Sequence, residues 1–137
     1  MNAGQITLPR YPGIQVAAAP APWTLSGRGW IVLYRLSRKT RESLGDASVK
    51  ARGLSALMLV DYDSSPAGPY KELLWIPGKR DTPVGRWHQI SRILVSSMES
   101  VINGRINWGI PKERADFSFQ SSGGIDSVQV SDEQGQV

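Results

Sequence analysis

The chain has 137 residues, a length that suits one domain with a modest hydrophobic core. It has no cysteine and a single histidine, His88, which excludes disulfides and thiolate chemistry and argues against zinc or haem sites. Sixteen basic residues against twelve acidic ones leave a net charge of +4. The densest basic cluster, Ser37–Glu42, reads as a solvated face, so nucleic acid is not an expected partner.

Residues 1–27 contain Pro9, Pro12, Pro20 and Pro22, which remove backbone donors and fix φ. An extended arm is expected there rather than a helix. The start of the chain lacks the basic and long apolar segments of a signal peptide, and no apolar run is long enough to span a membrane. A cytoplasmic protein is the default expectation.

Trp30–Leu36 (WIVLYRL) is rich in β-branched and aromatic residues and predicts the first strand. Ser37–Lys50 is polar, a loop or a short helix. Ala56–Tyr62 (ALMLVDY) and Lys71–Ile76 (KELLWI) predict two more strands. They are joined by Asp63–Pro69, where two serines, two prolines and a glycine supply turn chemistry. Pro77–Pro83 reads as a loop. Trp87–Ser96 alternates as a fourth strand, with Ile90, Arg92 and Leu94 on one face and Ile93 and Val95 on the other. Ser96 stands three residues before Glu99, which predicts a helix N-terminus there, with Asn103-Gly104 as its end.

Ala115–Gln120 and Ile125–Ser131 alternate again around SSGG at 121–124, a hairpin. A further turn over Asp132–Gly135 has no returning strand. The chain is therefore expected to be an arm over 1–27 followed by one domain over 28–137, incomplete at its C-terminal end. The fold class is α+β, mainly β: a curved antiparallel sheet or open barrel with one short helix.

Little of the usual catalytic apparatus is present. No G-x-S-x-G elbow accompanies His88, and no dinucleotide or phosphate-binding loop occurs. His88 is expected to be structural or at the surface, and the five tryptophans to pack. Lysine chemistry remains. A neutral lysine amine can attack a carbonyl, and the protonated imine then draws electrons from a neighbouring bond. A free lysine titrates near 10.4, so this use needs burial or a nearby cation. Lys112 is the best candidate. It follows Pro111 and has Trp108, Ile110 and Phe117 around it in sequence, whereas the other lysines have polar neighbours. From spacing alone, a solvated lysine at a strand start is the better reading.

The segment GRINWGIPKERADF, Gly104–Phe117, resembles the imine-lysine signature of the acetoacetate decarboxylase superfamily. SPAGPYKELL, Ser65–Leu74, is similar to the family's segment carrying an active-site glutamate, and GRGWIVLYR, Gly27–Arg35, more weakly to its early strand. The resemblance implies a cone-like β-barrel with the lysine in a largely apolar interior, a homo-oligomer and no external cofactor. It implies a lyase acting on a small keto acid, by decarboxylation or by aldol and dehydration chemistry. It makes Lys112 the imine-forming residue and Glu72 its catalytic partner. It makes Arg28 a carboxylate-binding residue and places Arg105, Tyr70 and Trp108 at the substrate, with no metal. One departure stands out. The family's decarboxylase has a second lysine after the reactive one, and here that residue is Glu113, which beside the amine would favour the ammonium form. Another departure is an apolar residue within Leu54–Val60 in place of a further acidic one. A non-catalytic small-molecule-binding barrel, or an inactive fragment of the same family, is the alternative expectation.

Overall fold

The computed structural model describes residues 4–45 and 49–133. Gln5–Ile6 (β1) and Val16–Ala17 (β2) pair as a small antiparallel ladder within the arm. Ser26–Tyr34 forms β3, Arg38–Ser43 a short helix α1, Ser55–Ser64 β4 and Tyr70–Ile76 β5. Lys79–Thr82 (β6) and Gly85–His88 (β7) make a separate hairpin. Arg92–Val95 is β8, Met98–Trp108 the helix α2, Lys112–Ser122 β9 and Ile125–Asp132 β10.

Six strands form one sheet in the order β10-β9-β8-β5-β4-β3. All neighbours are antiparallel except β8 and β9, which run parallel because α2 carries the chain back between them. The sheet curls. Trp30 on β3 meets Phe119 on β9, with ring centroids 6.4 Å apart, although three strands lie between them. The class is thus α+β, mainly β, as the alternation implied.

The curl gives the sheet two unlike faces. Inside it, Trp30, Val32, Leu57, Leu59, Leu73 and Val130 line an apolar hollow of about 480 Å³. On the other face Tyr70, Leu74, Ile93 and Val95 pack with Val101 of α2, and Tyr11 and Trp23 of the arm close over them. The edge strand β3 leaves Ile31, Val32 and Leu33 more than half exposed.

Several boundaries differ from expectation. Trp87–Ser96 is not one strand. Its first part pairs with β6, in the segment read as a loop, and only Arg92–Val95 joins the main sheet. His88 lies exposed in β7. The helix is capped by Ser97, whose hydroxyl accepts from Ser100 N at 3.2 Å, and not by Ser96, whose hydroxyl accepts from Lys71 N at 2.8 Å. Nor does the helix stop at Asn103-Gly104. Both are buried mid-helix, and the end falls at Gly109, with φ 64° and its N–H on Arg105 O at 2.9 Å. The turn over Asp132–Gly135 lies partly outside the described residues.

A left-handed C-cap strains any residue with a Cβ, and nothing else stands within 4 Å of one built at Gly109. Gly109→Ala should therefore lower stability by about 1 kcal/mol in urea unfolding through backbone strain alone.

Candidate functional site around a buried lysine

Alternation along β9 decides what faces α2. Lys112 pairs with Ile93 and Glu113 with Leu94, so the two neighbours point to opposite sides of the sheet. Ile93 belongs to the core beneath α2, and Lys112 joins it there. The lysine stem crosses the helix at Gly104. A Cβ on that glycine would stand 2.8 Å from Lys112 Cδ and 3.0 Å from Cε, closer than real contacts allow. The motif's glycine is thus the place where the lysine fits. The motif's arginine holds the backbone: Arg105 Nε donates to Lys112 O at 2.8 Å.

The ammonium is surrounded. Lys112 Nζ donates to Glu72 Oε2 at 3.0 Å, to Ser100 Oγ at 3.0 Å and to Tyr70 OH at 3.4 Å. The Tyr70 and Trp23 rings lie 5.0 and 5.8 Å from it. Only 5% of the lysine side chain and 8% of the Glu72 side chain are exposed. Two charges withdrawn from water this far persist only because each has the other and further donors or rings nearby. Burial, then the Glu72 charge, pushes the Tyr70 phenol well above its usual range, so it stays a neutral hydroxyl. Tyr62, in ring contact with Tyr70 at 4.9 Å, is raised for the same reasons.

The structure thus brings together Lys112, Glu72 and Tyr70 of the residues singled out by sequence. It separates Arg28. That residue pairs across β3 and β4 with Asp61, at 3.5 Å, on the face opposite Glu72, and its side chain is 69% exposed. The reason is the period of two: Glu72 shares its row with Val60, and Arg28 with Asp61. Arg105 is engaged on the backbone carbonyl and against the Tyr11 ring. Trp108 is 45% exposed and meets the site through an edge-on contact with Trp23, centroids 5.0 Å apart. Glu113 lies away from the amine, in a surface hollow with Arg92. The lysine itself is buried between the sheet and α2, not in the hollow that the sheet encloses.

Ser100 and Trp23 were not anticipated. Ser100 stands four residues before Gly104, hence on the same helix face, and that spacing was the available signal. Nothing in the arm's sequence marked Trp23. Among the described residues no group of three or more His, Cys, Asp or Glu side chains gathers as a metal site, and no helix is long and apolar enough to cross a membrane.

No family model matches the chain. Two plant proteins named NEOXANTHIN-DEFICIENT 1 are similar in sequence. The one from Oryza sativa subsp. japonica is 33% identical over 117 residues, covering 77% of this chain and 39% of the relative. The one from Arabidopsis thaliana is 31% identical over 105 residues, covering 73% and 37%. The chain thus spans less than half the length of these relatives. Among solved structures, acetoacetate decarboxylase from Legionella pneumophila superposes with a TM-score of 0.59 at 13% identity, over 92% of this chain and 56% of that one. That likeness shows the fold: over most of its length the chain has the fold of acetoacetate decarboxylase.

Removing one partner of the buried pair leaves the other charge uncompensated. Lys112→Met and Glu72→Gln should each cost about 3–5 kcal/mol in urea unfolding, and the double variant Lys112→Met/Glu72→Leu should recover most of that loss. A second expectation concerns pH. An unfolded tyrosine ionises near 10, whereas folded Tyr70 holds its proton more tightly. Its contribution to stability is full below about pH 10 and is lost as pH rises beyond that, through the folded-state value. Tyr70→Phe should remove that part of the alkaline loss in melts run from neutral to strongly alkaline pH.

Proposed function

We propose that the chain is a lyase-type enzyme in which Lys112 forms an imine with a small keto acid. The observation that carries this reading is an amine buried on three side-chain oxygens, one of them a carboxylate 3.0 Å away. Glu72 can take the ammonium proton over that distance and leave a neutral amine. The nitrogen then adds to the ketone carbon, and the carbonyl electron pair moves to oxygen. Glu72 returns the proton to that oxygen, then takes a second proton from the nitrogen and passes it to the same oxygen, which leaves as water. The resulting iminium accepts the electrons of a breaking C–C bond. For a β-keto acid that bond releases carbon dioxide and leaves an enamine. Protonation at carbon and attack by water on the iminium then free the ketone and the lysine. An α-keto acid bound in the same way would enter aldol and dehydration chemistry instead.

Arg28 does not share this face, and Arg105 is engaged on Lys112 O. The hydroxyls of Tyr70 and Ser100 are then the donors at hand for a substrate carboxylate or the departing oxygen. Tyr70, held neutral, keeps its proton for that use. Glu113 faces the other side of the sheet and does not oppose the chemistry.

The second reading is a non-catalytic binding domain that keeps the scaffold. Its support is that the amine is already fully engaged by Glu72, Ser100 and Tyr70. One experiment separates the two. The folded protein is incubated with acetoacetate or pyruvate, reduced with borohydride and digested for mass spectrometry. The enzyme reading expects a reduced adduct on Lys112, present with Lys112 intact and lost in Glu72→Gln by about ten-fold or more, within reach of a lost acid–base group. No adduct on folded protein overturns it in favour of the binding reading.

A further inference from the structure

The Asn103-Gly104 pair does not end the helix, and only Gly104 is explained by the lysine. Asn103 is almost wholly buried, at 2% exposure, and its amide group makes three hydrogen bonds. One keeps to its own helix, from Nδ2 to Glu99 O at 3.0 Å. The other two reach the arm: Oδ1 accepts from Ala19 N at 2.7 Å, and Nδ2 donates to Ala17 O at 3.1 Å. One turn further on, Asn107 Nδ2 donates to Ala19 O at 2.8 Å. The Trp23 indole donates to that same carbonyl at 2.8 Å. Both backbone groups of Ala19 are therefore gripped, by two asparagines of α2 and by the tryptophan that lies across the Lys112 ammonium. Trp108, from the end of α2, braces the Trp23 ring edge-on.

We propose that arm residues 16–23 are the outer wall of the lysine site, with Asn103 and Asn107 as positioning residues that latch Trp23 over the amine. Neither asparagine is among the donors and acceptors at Nζ. They act through Ala19. The closed arm shields the amine from water, and its release admits an electrophile. The inference deepens the imine-lysine reading but concerns access to Lys112 alone, so it can fail or hold independently of turnover.

The test uses formaldehyde with cyanoborohydride, which methylates any amine it reaches. Methylation of Lys112 is followed by peptide mass spectrometry, with the exposed Lys39 and Lys79 as internal references. In the parent protein Lys112 should react more slowly than both. Asn107→Ala, at a half-buried position, should raise the Lys112 rate about three- to ten-fold, as expected when one hydrogen bond no longer favours the closed arm. Lys39 and Lys79 should not change, nor should the urea midpoint of that variant shift in proportion. Asn103→Ala should raise the rate further, and Trp23→Phe, which removes the indole donor, should raise it too. If Asn103→Ala unfolds, all lysines react together and Asn107→Ala and Trp23→Phe decide. A Lys112 rate that stays at the parent value in both of these folded variants overturns the proposal. Because formaldehyde needs no keto-acid site, a negative acetoacetate experiment leaves this one standing, and the reverse also holds.

Discussion

The ion pair of Lys112 and Glu72 is the constraint around which the outer face of the sheet is arranged. Glu72 lies on β5 and Lys112 at the start of β9, with β8 between them. The two meet only because the lysine side chain runs under α2 to reach across a strand. That requires a helix with a gap at Gly104 and a hydroxyl at Ser100, one turn apart on one face. It also requires the parallel return of β9 beside β8, which is what α2 makes possible. A buried pair is weak evidence for stability in itself, since similar volumes of apolar side chain can do as well. Here the pair also has hydroxyl partners and two aromatic rings, an arrangement that suits the use of the amine proposed above.

The two faces of the sheet divide the chemistry between them. The inner face is apolar along Trp30, Val32, Leu57, Leu59 and Leu73, with charge gathered at the Arg28, Asp61 and Lys71 cluster. The outer face carries the buried polar groups Glu72, Ser100, Asn103 and Lys112. Strand alternation sorts the motif residues accordingly. Glu113, the departure from the decarboxylase pattern, falls on the side of the sheet away from the amine. Arg28, carried over by the weakest of the three sequence matches, falls on the face opposite Glu72. The likeness to a solved decarboxylase at 13% identity therefore accounts for the scaffold, while the roles rest on which side each residue faces.

Much of this was legible in the sequence. Alternating runs located β4, β5 and β10 closely, and the Pro-Lys motif pointed to the residue that is buried. Burial itself was not legible, because a lysine at a strand start is ordinarily solvated and only α2 packing changes that. The helix end was misplaced because Asn-Gly is a good terminator in isolation. Here Asn103 finds its partners in the arm, 84 and 86 residues away in sequence, and Gly104 in the lysine stem. The fourth strand was misread because alternation does not reveal which partner a strand takes. Its first half pairs locally with β6 and its second half with β5. Each miss is a case of distant contacts overriding a local signal.

A site of this kind has to satisfy opposite demands. In the resting arrangement the ammonium is held by a carboxylate, two hydroxyls and two rings. Imine chemistry needs the uncharged amine. In the proposed reaction, transfer of one proton over 3.0 Å to Glu72 would convert the pair from two charges to none. The hydroxyls of Ser100 and Tyr70 serve either state, since each can donate or accept. Of these partners Glu72 alone can change the charge of the amine. On the proposed reading, the placement of one carboxylate on the row of Val95, rather than on the row of Leu94, is therefore what would separate a reactive lysine from a merely buried one.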